Sequence, residues 1–307
     1  MKAIVYEKYG SPDVLELKEI EKPVPNDNEI LVKVHASTVT SGVTYIRNGK
    51  HPDSKLFSII LRMFFGITKP KRKILGYELS GVVESEGKNV KLFKKGDEIF
   101  GTATGLNAGS YAEYICLPEK WNAGVVAEKP VNLSHEEAAA LPIGGMTALY
   151  LLRKVNIRQG EKILIYGASG SVGTYAVQLA KYFGAEVTGV SSSANLNLIK
   201  SLGADKVIDY TGDVFPGNCE TYDVIFDAVG KCPAELKKKC LKKKGKYISI
   251  ASPTSEKTEA LIFLGKLAEA GEIKPVIDKC YPMEDIVEAH RYADKGHKKG
   301  NVVITIK

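Results

Sequence analysis

A strand that runs through a glycine-rich turn into a helix decides the fold class of this chain. The stretch reads Ile163-Leu164-Ile165-Tyr166-Gly167-Ala168-Ser169-Gly170-Ser171-Val172-Gly173. Its first four residues are an apolar run typical of a buried strand, and apolar side chains then recur at helical spacing until Gly184. The stretch therefore predicts a strand, a tight turn and a helix in direct succession.

The three glycines of this turn suit the binding of a dinucleotide. Gly167 allows the tight turn, Gly170 lets the backbone approach a pyrophosphate, and Gly173 lets helix and strand pack closely. The N-terminus of the helix supplies N–H groups and a partial positive charge for phosphates. Such glycines can also serve a plain β–α turn, but the strand before and the helix after favour dinucleotide binding.

Short apolar runs alternate with helical segments on the C-terminal side of the turn. The strand-like runs are 186–190, 206–208, 224–226 and 246–250. This alternation predicts an α/β fold in which helices cover a parallel sheet.

The chain on either side of this region has a different pattern. Residues 2–6, 29–34 and 74–117 are rich in strand signals and punctuated by glycines, which predicts a small barrel-like or Greek-key unit. Strand-like residues in the tail are expected to rejoin that unit. The predicted domains are therefore 1–124 plus 276–307, with an inserted nucleotide-binding domain at 125–275.

Composition limits the classes of protein to which the chain can belong. It has 307 residues, of which 44% are hydrophobic and 26% charged, as in an ordinary globular protein of about two domains. No apolar run approaches the ~18 residues of a membrane span, and no signal-peptide pattern opens the chain. The net charge of +7 suits an anionic ligand but is too mild to demand nucleic acid.

Five scattered cysteines indicate neither a disulfide framework nor a zinc knuckle, because no Cys-x-x-Cys pair occurs. A reducing, cytoplasmic location is the simplest expectation.

The strand after the glycine turn bears on the choice of cofactor. An NAD site usually places an acidic residue about 20 positions beyond the motif, on the ribose 2′-hydroxyl. Residues 187–195 contain no acidic residue, and the hydroxyls of Ser191, Ser192 and Ser193 stand where a carboxylate would repel a 2′-phosphate. The pattern favours NADPH, with NADH as the second option because no arginine is present. The serines could also cap the helix that begins near Asn195.

Many sequence blocks in the same order resemble the medium-chain dehydrogenase/reductase superfamily, in its zinc-free quinone oxidoreductase (zeta-crystallin-like) branch. Besides the glycine turn, these blocks are residues 1–4, 76–82, 94–101, 109–114, 138–142, 144–148, 201–205, 227–230 and 300–303. The resemblance implies a GroES-like β-rich catalytic domain split around a Rossmann-type doubly wound parallel sheet. It also implies cofactor contacts from Thr147, Gly167, Ala168, Ser169, Gly170, Ser171, Val172, Gly173, Ser191, Ser192, Asn195, Tyr210, Ala228, Val229, Gly230 and Asn301.

The resemblance further implies that no metal takes part. Zinc-dependent members use an early Cys and a His-Glu pair, but this chain has neither Cys nor His in residues 38–43 or in Gly76-Tyr77-Glu78. Without such ligands a zinc site cannot close, and zinc-assisted alcohol oxidation is disfavoured.

A metal-free member of the family can pass a hydride from NADPH to a quinone or to the β-carbon of an α,β-unsaturated carbonyl compound. The protein must hold both reactants face to face, and a hydrogen-bond donor near the substrate oxygen would help. The candidate catalytic residues are Thr40, Tyr45 and Tyr77, which border the cofactor cleft in relatives. Each could instead be a packing residue.

Two other functions stay open. The chain could be a nucleotide-binding redox sensor or interaction protein without catalysis, or an alcohol or aldehyde dehydrogenase. The expected partner is a small-molecule quinone or enone, with no nucleic acid and no membrane span. The short connection at 251–259 predicts a monomer or an atypical homodimer, since relatives place a subunit-pairing segment there.

Two unusual stretches lie outside these motifs. Residues 55–67 are very apolar and precede the basic residues 69–73; a buried helix or a substrate lid is favoured over contact with a membrane surface. Residues 237–244 contain six lysines and are predicted to be the solvated end of a helix that stops at Gly245.

Overall fold

The computed structural model describes residues 1–51, 54–105, 108–121, 123–212 and 220–307. They form two compact units, one of Met1–Pro142, Lys257–Gly265 and Ile277–Lys307, the other of Ile143–Glu256 and Lys266–Val276. The domain boundaries at 124 and 275 stay a prediction.

The described residues form the following elements. In chain order the strands are β1 (Lys2–Val5), β2 (Glu16–Glu19), β3 (Glu29–Thr38), β4 (Glu78–Glu86), β5 (Glu98–Ala103), β6 (Tyr114–Pro118), β7 (Gly124–Glu128), β8 (Lys162–Tyr166), β9 (Glu186–Ser191), β10 (Lys206–Asp209), β11 (Tyr222–Asp227), β12 (Leu241–Ser249), β13 (Ile277–Pro282) and β14 (Asn301–Thr305). The α-helices are α1 (Ser41–Asn48), α2 (Lys55–Phe65), α3 (His135–Ala140), α4 (Pro142–Val155), α5 (Ser171–Tyr182), α6 (Leu196–Ser201), α7 (Ala234–Cys240), α8 (Thr258–Glu269) and α9 (Ile286–Asp294).

The first unit is built on a mixed sheet of order β13-β14-β3-β4-β5-β7, with β6 also paired to β3. Two of the glycines in this part of the sequence lie where neighbouring strands approach closely. A β-carbon on Gly81 would lie 2.1 Å from the backbone oxygen of Lys33, and one on Gly101 would lie 2.0 Å from that of Val125. The tail returns to this sheet, because β14 pairs antiparallel with β3.

Helix α3 covers part of this sheet with small side chains. Ser134 and Glu137 form a capping box at its N-terminus. Ala139 and Ala140 are fully buried against Ala36 of β3 and Val303 of β14. Alanine at these positions lets the helix pack close to the strands.

The second unit is a five-stranded sheet of order β10-β9-β8-β11-β12, and every pair in it is parallel. The strand order reverses between β8 and β11. In open α/β sheets ligands bind at such a switch point, outside the carboxyl ends of the strands. The predicted α/β fold class is confirmed.

Three expectations about local structure are wrong. The lysine-rich segment is not one helix, since α7 ends at Cys240 and Lys242 begins a run of lysines in β12, where pairing with β11 overrides helix propensity. Helix α2 is not a buried helix, because none of its residues is buried. Cys240 is disulfide-bonded, although no disulfide framework was expected; Cys116, Cys232 and Cys280 are free.

No helix among the described residues combines the length and apolarity needed to cross a membrane.

Candidate functional site

The glycine turn between β8 and α5 has the geometry that its spacing predicts. Gly167 has a φ of 79°, which favours glycine, and a β-carbon there would lie 2.5 Å from a methyl carbon of Val229. A β-carbon on Gly173 would lie 2.1 Å from the carbonyl oxygen of Gly167. Gly170 differs, because a β-carbon there would meet only the carbonyl oxygen of Gly167, at 3.6 Å. Gly167 and Gly173 shape the turn, whereas Gly170 leaves space above it.

The start of α5 is suited to an anion. Gly170 is the N-cap and offers no side chain to the amides of the first turn, which holds no acidic residue. The N–H groups of the first helical turn have no acceptor within the helix. The first helical hydrogen bond is the one that the Thr174 N–H donates to the Gly170 oxygen, at 2.9 Å. Backbone N–H groups and the helix dipole therefore fit a phosphate here.

A cluster of hydroxyl and amide groups lies beside the turn, at the end of β9. The Ser191 hydroxyl donates to the Ser169 hydroxyl at 2.8 Å, and Asn195 Nδ2 lies 3.2 Å from that oxygen and 3.3 Å from Ser192 Oγ. Asn195 Oδ1 is buried and has no hydrogen-bond partner among the described residues. The cluster presents hydrogen-bonding groups and no carboxylate, which fits a ribose or its phosphate.

Side-chain capping does not account for this cluster. Ser192 precedes the 3-10 helix Ser193–Asn195, and Asn195 precedes α6, yet neither makes a side-chain cap hydrogen bond. The expectation that the serines serve as caps is therefore wrong; the Ser191 hydroxyl bonds to Ser169 and the Ser192 hydroxyl accepts from Asn195 instead.

Asp227, at the end of β11, organises the second loop of the site. Its buried carboxylate accepts hydrogen bonds from the N–H groups of Val229 (3.1 Å), Gly230 (2.8 Å) and Cys232 (2.9 Å), and from the Tyr247 hydroxyl (2.9 Å). Burial, reinforced by this carboxylate, raises the pKa of Tyr247 to about 12. Sequence reasoning missed this role of Asp227, although an acidic residue directly after an apolar strand was a usable signal.

The remaining predicted cofactor residues of the second unit lie at the same edge. The Ala228 N–H donates to the Tyr166 oxygen at 2.9 Å, and the Tyr210 N–H donates to the Ser191 oxygen at 3.1 Å. Thr147 lies in α4, one turn beyond Gly144. A β-carbon on Gly144 would lie 2.6 Å from Ser171 Oγ, so this part of α4 is close to the start of α5. The structure thus brings the predicted residues of this unit together around the start of α5.

The predicted catalytic residues all belong to the first unit. The Thr40 hydroxyl accepts the Val43 N–H at 3.2 Å and caps α1. A β-carbon on Gly42 would lie 3.8 Å from Thr40 Oγ1 and 3.9 Å from the Tyr77 ring. The side chains of Thr40 and Tyr77 are therefore both close to Gly42. The Tyr45 ring packs instead against the His51 ring, with centroids 5.1 Å apart.

Two charged groups of the first unit that are close in sequence to predicted site residues were not singled out from sequence. The Glu78 carboxylate, 1% exposed, accepts a hydrogen bond from the Thr38 hydroxyl. Lys298 Nζ donates to the Gly300 oxygen at 2.7 Å, directly before the predicted cofactor residue Asn301. Burial lowers the pKa of Lys298 to about 8, although the Glu78 charge opposes the shift. Lys298 lies in a polar stretch that carried no signal.

The described residues contain no group of three or more His, Cys, Asp or Glu side chains able to hold a metal ion. The first unit also has a cavity of about 500 Å³ beside Lys71, Arg72 and Lys73, and none of the predicted site residues lines it.

Comparison with known proteins matches both parts of the chain. The family described as "Alcohol dehydrogenase GroES-like domain" matches residues 26–130, and "Zinc-binding dehydrogenase" matches residues 171–274.

Individual proteins match over nearly the whole chain. The chain is 36% identical to a 2-methylene-furan-3-one reductase of Solanum lycopersicum and 32% identical to a chloroplastic NADPH-dependent alkenal/one oxidoreductase of Arabidopsis thaliana; each alignment covers 99% of this chain and 79% of the relative. A solved quinone oxidoreductase from Coxiella burnetii has a TM-score of 0.87 at 29% identity, covering 100% of this chain and 99% of the other. The GroES-like and Rossmann-like parts expected from sequence are confirmed.

Proposed function

Because the chain belongs to the medium-chain dehydrogenase/reductase superfamily of oxidoreductases, we propose that it reduces a quinone or an α,β-unsaturated carbonyl compound with NADPH, without zinc. The single observation that carries the cofactor assignment is the uncapped start of α5 at the switch point of the parallel sheet. The substrate class rests on the relatives, which are named for the reduction of quinones, alkenals and a furanone.

In this proposal the second unit binds the cofactor through backbone and uncharged polar groups. The Val172 and Gly173 N–H groups bind the pyrophosphate, and the space above Gly170 lets it approach. Ser191, Ser192 and Asn195 donate hydrogen bonds to the adenosine ribose and its 2′-phosphate. The absence of a carboxylate in this cluster supports NADPH, and the absence of a cation leaves NADH as a weaker alternative.

The bound cofactor supplies a hydride to an electron-poor carbon of the substrate. Negative charge then develops on the conjugated oxygen, and a donor at that oxygen stabilises it. We assign this role to the hydroxyl of Tyr77 or Thr40, which flank Gly42. Thr40 accepts the Val43 N–H, which leaves its own proton available for donation. Proton transfer to the oxygen or to the α-carbon completes the reduction.

Zinc independence is supported by the residue types in the two zinc-ligand segments. Residues 38–43 and the Gly76-Tyr77-Glu78 block contain no Cys or His. A lone buried Glu78 cannot supply the three or four ligands that zinc requires.

The test is oxidation of NADPH, followed by absorbance, with a panel of quinones and enones. We expect turnover that a chelator does not reduce and that is slower with NADH. Tight NADPH binding without turnover on any acceptor would favour the redox-sensor function. Chelator-sensitive oxidation of alcohols would favour an alcohol dehydrogenase.

Asn195→Asp tests the choice of cofactor within the same assay. A carboxylate in the serine cluster would repel the 2′-phosphate, so we expect the preference for NADPH over NADH to fall about tenfold or more. Asn195→Ala is the matched control, because it removes the amide without adding charge. Equal losses with both cofactors in both variants would refute the assignment.

The edge of the second sheet supports an atypical homodimer or a monomer. β12 is the last strand in the order of that sheet and carries the exposed residues Lys242, Lys243 and Lys244. Charged residues on an edge strand oppose pairing with a second copy. A tight dimer in light scattering that depends on this edge would contradict this part of the proposal. The cytoplasmic location stays a prediction.

A further inference from the structure

We propose that α2 and the basic segment after it, residues 69–73, dock this protein on the surface of an anionic lipid bilayer. The inference is independent of the reaction proposed above. It rests on the orientation of α2, on its exposed apolar area and on the charge of its surroundings.

The outward face of α2 is almost entirely apolar. Its exposed fractions are large for side chains of this type: Leu56 68%, Phe57 57%, Ile59 58%, Ile60 49%, Met63 65% and Phe64 57%, with Ile67 at 68% just beyond the helix. Soluble monomers rarely leave a contiguous apolar patch larger than a few hundred Å² in water, and larger patches mark interaction sites.

Ser58 and Arg62 of α2 face the body of the unit, which reverses the usual arrangement. The Ser58 hydroxyl accepts the His51 N–H at 2.8 Å, and Arg62 Nε donates to the Gly49 oxygen at 3.0 Å. The Arg62 guanidinium also lies 4.9 Å from the Tyr9 ring centroid. A surface helix normally buries its apolar stripe and exposes its polar face. Here the polar groups hold the helix in place and the apolar stripe is left to an external partner.

The C-terminal end of α2 also contacts the body of the unit. The Tyr9 hydroxyl donates to the Gly66 oxygen at 2.7 Å. Gly66 has a φ of 126°, and a β-carbon there would lie 2.1 Å from the Lys69 oxygen. The helix and the basic segment therefore form one preorganised surface.

Charge selects an anionic bilayer as the occupant. Residues 54–77 contain six cations and no acidic residue: Lys55, Arg62, Lys69, Lys71, Arg72 and Lys73. Lys55, Lys69, Lys71, Arg72 and Lys73 are exposed. An apolar helix face with adjacent Lys and Arg is the pattern of interfacial helices, which place their apolar face at the boundary of headgroups and acyl chains.

A second copy of this chain is a poorer occupant of the same face. A two-fold contact through α2 would bring the two basic segments close together around the apolar patch. Like charges at such a contact repel, whereas anionic headgroups attract each cation.

The test is sedimentation of the full chain with vesicles of phosphatidylcholine alone and of an equimolar mixture with phosphatidylglycerol. We expect binding to the anionic vesicles only, weakened by salt. Ile60→Gln and Phe64→Gln together should weaken it about tenfold or more, because the apolar face is lost. Ile262→Gln, on the exposed side of α8, is the matched control and should leave binding unchanged.

The charge requirement is tested with two matched pairs of substitutions. Lys71→Gln with Arg72→Gln should reduce binding about tenfold, since each cation near the surface contributes several-fold. Lys243→Gln with Lys244→Gln removes the same charge from the lysine-rich strand and should have little effect. Circular dichroism and thermal melting verify that each variant folds.

A spectroscopic probe reports insertion directly. The chain has a single tryptophan, Trp121, so Phe64→Trp adds one reporter on the outward face of α2. We expect its emission to shift to the blue with anionic vesicles and to be quenched by brominated lipid chains.

Three results would overturn the proposal. They are failure to bind anionic vesicles, equal losses in the α2 variants and their controls, and self-association that Ile60→Gln with Phe64→Gln abolishes. The last result would assign the face to a second copy. None of these measurements depends on hydride transfer, so failure of the proposed reaction leaves the test intact.

Discussion

Alanine substitutions at two glycines of one turn should separate folding from cofactor binding. In Gly173→Ala the new β-carbon would lie 2.1 Å from the Gly167 oxygen and 2.8 Å from two backbone atoms of Ala168. In Gly170→Ala it would meet only the Gly167 oxygen, at 3.6 Å, which is ordinary van der Waals contact. The added methyl group therefore overlaps backbone atoms at Gly173, whereas at Gly170 it has space.

The magnitudes follow from these distances. Relief of the overlap at Gly173 requires a shift of backbone, and overpacking of this kind costs about 1–3 kcal/mol. Gly170 has a φ of −77° and a ψ of 175°, which alanine adopts readily. Alanine is a poorer N-cap than glycine, but the loss of about 0.4–1 kcal/mol of unfolded-state entropy offsets this. We expect Gly170→Ala to change the free energy of unfolding by less than about 1 kcal/mol.

Urea unfolding and calorimetric titration with NADPH measure the two effects. Gly173→Ala should lower the free energy of unfolding by about 1–3 kcal/mol. Gly170→Ala should fold normally yet bind NADPH about tenfold more weakly, because its methyl group occupies the space that the pyrophosphate needs. Unchanged NADPH affinity in Gly170→Ala would refute the placement of the dinucleotide, and unchanged stability in Gly173→Ala would refute the packing argument.

Three further predictions concern stability and the loops of the site. Burial and the neighbouring Arg47 lower the pKa of His290 to about 3, so this group favours the folded state above pH 6.5 and loses that contribution as the pH falls towards 3. Wild type should lose about 2–3 kcal/mol from this source between pH 7 and 4.5, and the free energy of unfolding of His290→Gln, measured with urea, should lack this part of the pH dependence. Thr40→Ala should cost about 1 kcal/mol in thermal unfolding because α1 loses its cap, while Thr40→Ser should retain it; equal losses would contradict the capping role. Asp227→Asn should cost about 1–3 kcal/mol and weaken NADPH binding, since an amide cannot accept all the N–H groups that the carboxylate accepts; wild-type affinity would contradict the role of the 228–230 loop.

Sequence reasoning predicted β8, the glycine turn and α5 because each depends on local signals. The apolar run, the positive φ at Gly167 and the helical spacing need no knowledge of distant residues. It failed at the boundary of α7 and β12, where pairing with β11 decides the conformation of a lysine-rich segment. A strong helix-forming composition is a weak guide when a neighbouring strand offers hydrogen bonds.

From its sequence alone, this protein could be recognised as a β-rich unit joined to a parallel-sheet nucleotide-binding unit, since hydrophobic period and glycine placement are properties of neighbouring residues. Only the tertiary structure decided that Asp227 holds the 228–230 loop, that Asn195 joins the serines and that the apolar face of α2 points outward. Hydrogen bonds between side chains and the exposure of a helix face depend on what packs against each element. Which element packs there is determined by the whole fold and cannot be read from a local sequence pattern.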